Sequence, residues 1–511
     1  MMTPHHMAGR NVTRGRLLVC TLTLVLLIFL CACPVLSNAD AVKTLREDLE
    51  TILRDPALDS AHVGVVIDSL TTGQRIFGYN AGKRFVPASN MKLFTTAAAL
   101  LALSPDFRYE TRLFTDGPVT SGVLHGDIII EGSGDPTISG YFNGGDVLHV
   151  FRQWAKKLRE MGVKEIRGDL VIDNSAFLGQ PHGTGWDIDT TSCFSAPRDA
   201  FTFNNNCIQL DISPAARSGN GARMVMEPAT EYVRLANGLT GRTDAGRDII
   251  NLEYTTPRTL SITGSTLPGN PMITRYVAVN HPAYFGGFVF NETLEAAGIV
   301  MKGEILCARN CPKTVNISER SNREDWKPVD TYRSPPLTEV IKVVNKLSNN
   351  LYAELLLLAV GRTTTGASRT DGSAASALAA LQNAGIDTSA VTMVDGSGLS
   401  RHNLVTPDSV AQLLKTMARG PCASYFFDSL PVMSVDGTLS NRLKGSHGAD
   451  RIRAKTGALT HVRSLSGYVT TRGGEILVFS ILSNNHATRL AVDAVSDRII
   501  LKLLDHPSSE Q

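Results

Sequence analysis

Residues 86–100 read VPASNMKLFTTAAAL. Ser89 stands three places before Lys92, and from there the stretch turns almost wholly apolar. The pattern predicts a helix over about 90–103. Its start carries a hydroxyl and an ammonium on one face, because positions i and i+3 are neighbours. A helix that is apolar all round is one buried inside a larger body. Two readings of Ser89 and Lys92 compete. In the first, Ser89 caps the helix and Lys92 is a solvated charge. In the second, a desolvated Lys92 loses its proton and activates Ser89 as a nucleophile. The positive end of the helix dipole favours the charge such a reaction develops. S-x-x-K alone does not choose between them, since about two such patterns arise by chance in a chain of this length.

The flanks of this stretch predict the surrounding fold. Residues 40–55 (DAVKTLREDLETILRD) have helical periodicity, 62–68 (HVGVVID) read as a strand, Thr71-Thr72-Gly73 as a turn and 74–79 as a second strand. The far end mirrors this. Residues 464–471 (SLSGYVTT) and 476–483 (ILVFSILS) read as strands around a turn at Arg472-Gly473-Gly474, and 487–504 as an amphipathic helix. Terminal helices on an antiparallel sheet, with a buried helix on the other face, make an α/β sandwich. Between about 106 and 326 the texture changes to short β-like runs among Gly, Pro and Asn: GDIIIEGSGDPTISG at 126–140, GDLVIDNSAF at 168–177 and YVAVNHPAYFGGF at 276–288. The expectation is a β-rich insert tethered at both ends, because helical pattern resumes at Pro336.

The chain has 511 residues, more than one ordinary core accommodates. Its net charge of +2 makes no electrostatic case for nucleic acid. Arg10, Arg14 and Arg16 precede an apolar run over 17–30, and Ser37-Asn38-Ala39 follow, the three parts of a signal peptide over 1–39. The mature chain is therefore expected from near Asp40 as an exported, periplasmic protein. An uncleaved anchor and lipid attachment at Leu30-Cys31-Ala32-Cys33 are the rival readings. No later stretch reaches the ~18 apolar residues of a second span.

Five cysteines lie beyond that segment: Cys193, Cys207, Cys307, Cys311 and Cys422. An oxidising compartment permits bridges. The pairs closest in sequence are Cys193–Cys207 and Cys307–Cys311, with five reduced, buried thiols as the alternative. No spacing is a zinc pattern, no H-E-x-x-H helix or G-x-S-x-G elbow occurs, and neither metal nor cofactor is expected.

Two further pieces give Ser89 and Lys92 company. Ser348 and Asn350 form S-x-N between helical segments in 336–361. Taken alone this reads as a cap or turn, and Ser483-Asn484-Asn485 repeats the triplet at a strand end. Lys455-Thr456-Gly457 then opens β-patterned sequence. Glycine there lets a ligand backbone approach a strand, and a lysine and threonine can hold a carboxylate.

S-x-x-K, S-x-N and K-T-G in this order are the signature of penicillin-binding proteins and class A β-lactamases. With IEGSGDPTIS at 130–139, CFSAP at 193–197, DGSGLSRHN at 395–403 and the long gap between Lys92 and Ser348, the chain resembles a D-alanyl-D-alanine carboxypeptidase/endopeptidase. The group is that of the class C low-molecular-mass penicillin-binding proteins, penicillin-binding protein 4 type. The resemblance covers nearly all of the chain after the leader.

It implies a β-lactamase/transpeptidase-like sandwich split as 40–105 and 329–511 around accessory domains at 106–328. It implies Ser89 as the acylated nucleophile, Lys92 as its base, Ser348 relaying a proton with Lys455, and Asn350 orienting the peptide amide. Lys455 and Thr456 would hold the terminal carboxylate, and the N–H groups of Ser89 and Ala458, next to Gly457, would form the oxyanion hole. Asp189, Phe194 and Arg401 match a pocket for the diamino-acid side chain of the stem peptide; a loop cap and a surface ion pair are the plainer readings of Asp189 and Arg401. The family's bridge across the CFSAP loop fits Cys193–Cys207. Peptidoglycan stem peptides and β-lactams are the implied partners, with peripheral membrane association and oligomeric state left open. A β-lactamase-type hydrolase and a non-catalytic wall scaffold are the alternatives.

Overall fold

The computed structural model describes residues 38–507 apart from 187, 188, 190, 218, 244, 245, 321, 366 and 367. The leader expected over 1–39 lies almost wholly outside the described residues. A five-stranded antiparallel sheet runs in the order Ile452–Leu459, Val462–Thr470, Ile476–Asn484, His62–Ser69, Arg75–Tyr79. The two ends of the chain thus share one sheet, His62–Ser69 pairing with Ile476–Asn484 along its whole length.

Alternation along the central strands decides what covers each face. Val63, Val65 and Ile67, with Leu477, Phe479 and Ile481, pack against the terminal helices Asn38–Leu53 and Arg489–Leu504. Val66, Val478 and Leu482 turn to the other face, which the helix Pro407–Arg419 covers, and join the larger core built around the helix Met91–Leu103. The terminal helices meet through Leu45, Leu49, Val495 and Ile499, three or four residues apart on each, and through a Lys502–Asp48 ion pair of 2.7 Å.

Met91–Leu103 is the hub of the larger core. Eleven of its residues are buried, Lys92 among them. It ends where Ser104 takes a left-handed conformation (φ 74°) and Pro105 cannot continue the helix. The helices Leu337–Lys346, Asn350–Thr365, Thr370–Asn383 and Pro407–Arg419 surround it through Val340, Leu356, Leu381 and Leu414.

The segment between the two halves has a core of its own. Its largest sheet runs Ile305–Cys307, Leu170–Asp173, Ile128–Glu131, Glu110–Thr115, Lys327–Arg333. The expectation of strand over 276–288 is half corrected. The strand stops at Ala278, and Pro282–Ala296 is a helix. Pro282 at its first position suits a helix start; Phe285, within the run that looked β-like, packs on Phe203 instead, and Phe290 just beyond it packs on Phe151 and Trp154. A second helix, His149–Glu160, also lies in this segment. Its sheet connects parallel strands, and a parallel crossover needs such a helix.

Disulfides join Cys193 to Cys207 and Cys307 to Cys311, and Cys422 is buried and free. Among the described residues no helix is long and apolar enough to cross a membrane.

Candidate active site

The polypeptide reaches Ser89 under tight control. Asn484, the last residue of its strand, accepts from Val86 N and donates to Val86 O, at 2.8 and 3.1 Å. Ser464 Oγ donates to Pro87 O at 2.7 Å. Ala88 then takes φ 48°, a strained value for a residue with a Cβ. Ser89 lies in a single 3-10 turn, Ala88–Asn90, and Lys92 in the first turn of the following α-helix. Strain of this kind persists only where the surroundings over-determine it, as they do here. Ser89 keeps partial exposure between buried Ala88 and Asn90.

Lys92 Nζ lies 2.9 Å from Ser89 Oγ, 2.6 Å from Asn350 Oδ1 and 2.6 Å from Ser397 O. A neutral amine has two hydrogens and one lone pair. The two carbonyl oxygens take the hydrogens, which leaves the lone pair for the Ser89 hydroxyl. The side chain is fully buried, and burial pulls its pKa down to about 7 against the opposing pull of the Asp395 and Glu354 carboxylates. Lys455 Nζ donates to Ser348 Oγ and Thr456 O, both at 2.8 Å. It is also fully buried, and burial followed by the charge of Lys92 drives its pKa well below the ordinary lysine value. Both amines thus sit behind the site, while Ser89, Ser348, Asn350 and Thr456 are partly exposed in front of them.

The elements that carry these groups are far apart in sequence. Ser348, in the left-handed region at φ 58°, and Asn350 lie between Leu337–Lys346 and the start of Asn350–Thr365. Lys455, Thr456, Gly457 and Ala458 belong to the edge strand Ile452–Leu459. Gly457 has to be glycine: a Cβ would stand 2.1 Å from Ser464 Oγ, 2.8 Å from Pro87 O and 2.9 Å from Ser89 N. Gly398, at φ +84°, closes the other side, where a Cβ would fall 1.9 Å from Ala88 O. Gly398→Ala is therefore expected to leave a folded protein with acylation of Ser89 reduced at least about 100-fold, the scale of a misplacement near 1 Å; stopped-flow acylation measures it.

The three residues assigned to a side-chain pocket are placed less uniformly. Phe194 is 51% exposed, and its carbonyl accepts from Asn350 Nδ2 at 2.7 Å, so its loop borders the site. The exposed Asp189 turns its carboxylate onto its own loop, accepting from Thr191 N and Oγ1. That is the loop-cap arrangement. Arg401 makes a hydrogen bond to Thr460 O at 2.8 Å, just beyond the edge strand.

Sequence reasoning passed over Ser397, whose carbonyl holds Lys92, and Asp395. The buried Asp395 carboxylate accepts from Gly398 N, Ser400 N, Asn403 Nδ2 and Trp186 Nε1 at 2.7–2.8 Å and so shapes that loop. DGSGLSRHN was the available signal, but backbone roles leave no side-chain signature. Thr438 was also missed: its hydroxyl is 2.8 Å from that of Thr456.

Comparison with known proteins identifies the family. The model of the D-Ala-D-Ala carboxypeptidase 3 (S13) family matches residues 45–501. A D-alanyl-D-alanine carboxypeptidase from Actinomadura sp. is 32% identical, covering 99% of this chain and 93% of its own. Penicillin-sensitive carboxypeptidase A from Dictyostelium discoideum is 27% identical over 86% of each chain. The crystal structure of penicillin-binding protein 4 from Haemophilus influenzae superposes with a TM-score of 0.76 at 25% identity, covering 90% of this chain and 99% of that one. With a family model matched over nearly its whole described length, this chain belongs to the D-Ala-D-Ala carboxypeptidase 3 (S13) family.

Proposed function

We propose that this chain is a penicillin-sensitive serine carboxypeptidase/endopeptidase that cleaves D-alanyl-D-alanine ends of peptidoglycan stem peptides through an acyl-enzyme on Ser89. The observation that carries the reading is the 2.9 Å contact between Ser89 Oγ and a buried Lys92 with its two hydrogens engaged elsewhere. Ser89 Oγ attacks the carbonyl between the two D-alanines while Lys92 takes the hydroxyl proton. The N–H groups of Ser89 and Ala458 receive the developing oxyanion, each such donor being worth about 3 kcal/mol. The proton that Lys92 took passes to the departing amine by way of Ser348, which gives one proton and takes up another and is held by Lys455, and D-alanine leaves. Water then attacks the ester, and the same groups run the proton transfers in reverse.

Lys455 and Thr456 hold the substrate's terminal carboxylate, and Asn350 orients its amide. Asp189, Phe194 and Arg401 line the place of the stem-peptide side chain; the border that Phe194 makes with Asn350 supports this most directly. The segment over 106–328 acts as accessory domains. The substrate lies outside the cytoplasm, in agreement with the two disulfides and with the leader expected over 1–39, and we read the location as periplasmic.

A β-lactam presents a strained amide in place of the substrate's. Incubation with benzylpenicillin, followed by intact-mass and peptide mass spectrometry, is expected to show one covalent adduct on Ser89 that persists long after free drug is removed. An adduct elsewhere, or none, overturns the reading; rapid turnover of the adduct points to a β-lactamase instead.

A further inference from the structure

Asn350 and Glu354 stand four apart on the helix Asn350–Thr365 and so share a face. Asn350 Oδ1 accepts directly from Lys92 Nζ. Glu354, one turn on, is completely buried and reaches the same amine at second hand. Its Oε1 accepts from Ser397 N at 2.7 Å, and Ser397 O accepts from Lys92 Nζ at 2.6 Å. A single residue, Ser397, thus has its N–H on the carboxylate and its C=O on the lysine.

An unpaired carboxylate does not survive at such depth. Glu354 Oε2 meets Arg198 Nη1 at 3.0 Å, and Arg198 is itself only 5% exposed along its side chain. Three further donors of that guanidinium go to Thr370 Oγ1, Gln180 O and Pro181 O. It also lies 5.5 Å from the ring centre of Trp186, whose Nε1 donates to Asp395. A buried ion pair this thoroughly anchored rarely adds net stability over an apolar replacement. Its retention behind a reacting group therefore calls for another account.

We infer that Glu354, held by Arg198, is a positioning residue for acylation: it fixes the Ser397 carbonyl against Lys92 and supplies a negative charge that keeps Lys92 a strong enough base. The inference rests on Lys92 being that base. The charged groups facing Lys92 are Glu354 from the helix, Asp395 from the 395–403 loop and Lys455 from the edge strand. Arg198 faces Glu354, and His182 faces Arg198. Burial works against a proton on Lys92; the two carboxylates work for it. Removing one carboxylate shifts that balance in a single direction, toward a weaker base.

The test is the pH dependence of second-order acylation by benzylpenicillin, in the full-length protein. Wild type is expected to lose rate as pH falls through about 7. Glu354→Gln keeps an oxygen for Ser397 N and loses only the charge; its acid limb is expected to move down by about one pH unit or more. Glu354→Asp keeps the charge and shortens the reach, so its limb stays in place while the plateau rate falls about tenfold. This second variant carries the test if Glu354→Gln does not fold. A limb unmoved in folded Glu354→Gln, or a Glu354→Asp plateau equal to wild type, overturns the inference. A wild type without an acid limb, yet with an adduct on Ser89, overturns the assignment of Lys92 as base and this inference with it.

Discussion

Ser89→Ala is expected to abolish covalent labelling by penicillin and to lower D-Ala-D-Ala hydrolysis by on the order of 10⁴- to 10⁶-fold. The oxygen removed is the only one of the site's side-chain oxygens in contact with both the amine of Lys92 and the N-terminal turn of the buried helix. Neither Ser348 nor Thr456 can substitute for it. Ser348 Oγ is bonded to Lys455, and Thr456 Oγ1 to Thr438. The fold is expected to survive, because Lys92 keeps two of its three hydrogen-bond partners and Ser89 is partly exposed already. Release of D-alanine and thermal unfolding, measured on the same preparation, check the two halves of this expectation.

Lys92→Met is the second large effect, and it separates activity from stability. Methionine nearly matches the lysine stem in length and cannot take a proton. Loss of a general base costs about 10²- to 10⁴-fold in rate, and acylation should fall by that much and lose its acid limb near pH 7. In wild type the sign is fixed by which form reacts. Below about 7 the amine is protonated and its lone pair is gone, so rate falls with pH; above it the amine is free, and rate reaches a plateau. Stability follows the same proton. The folded chain releases it near 7 and the unfolded chain near the ordinary lysine value, so between these pH values the unfolded state binds more protons and stability rises as pH rises. Methionine removes that dependence along with the cost of burying an amine. Lys92→Met also leaves the Asn350 and Ser397 oxygens without their donor, so the readout is the slope: its stability is expected to rise less with pH above 7 than that of wild type, while it acylates far more slowly. A variant that acylates slowly yet keeps both the acid limb near pH 7 and the wild-type slope of stability contradicts the assignment of a neutral, buried amine.

The sandwich was legible because each of its elements has a periodic signature. HVGVVID and ILVFSILS are short β-branched runs beside turn residues, and both formed strands with bounds within a residue or two of expectation. The all-apolar stretch after Lys92 became a buried helix for the reason expected of it. The insert was harder to read. YVAVNHPAYFGGF contains aromatic and β-branched residues that suit either a strand or a buried helix, and the proline at its centre was the boundary between the two.

At the site, the three motifs were visible because each contributes side chains that chemistry requires at set spacings. What lay beyond the sequence was everything contributed by main chain or by long-range packing. Ser397 acts through its carbonyl and so could have been many other residues. Glu354 and Arg198 are 156 positions apart and look, in one dimension, like two surface charges.

The sequence by itself determined the strands and helices of the sandwich and brought forward Ser89, Lys92 and Ser348 as candidates for nucleophile, base and relay, since local periodicity and motif spacing are properties of neighbours along the chain. The tertiary structure alone decided that Lys92 and Lys455 are buried, that carbonyls from two other segments hold the Lys92 amine, and that two buried carboxylates oppose its loss of charge. The physical reason is that proton affinity depends on the solvent excluded and the charges gathered around a group, and folding sets both by bringing together residues hundreds of positions apart.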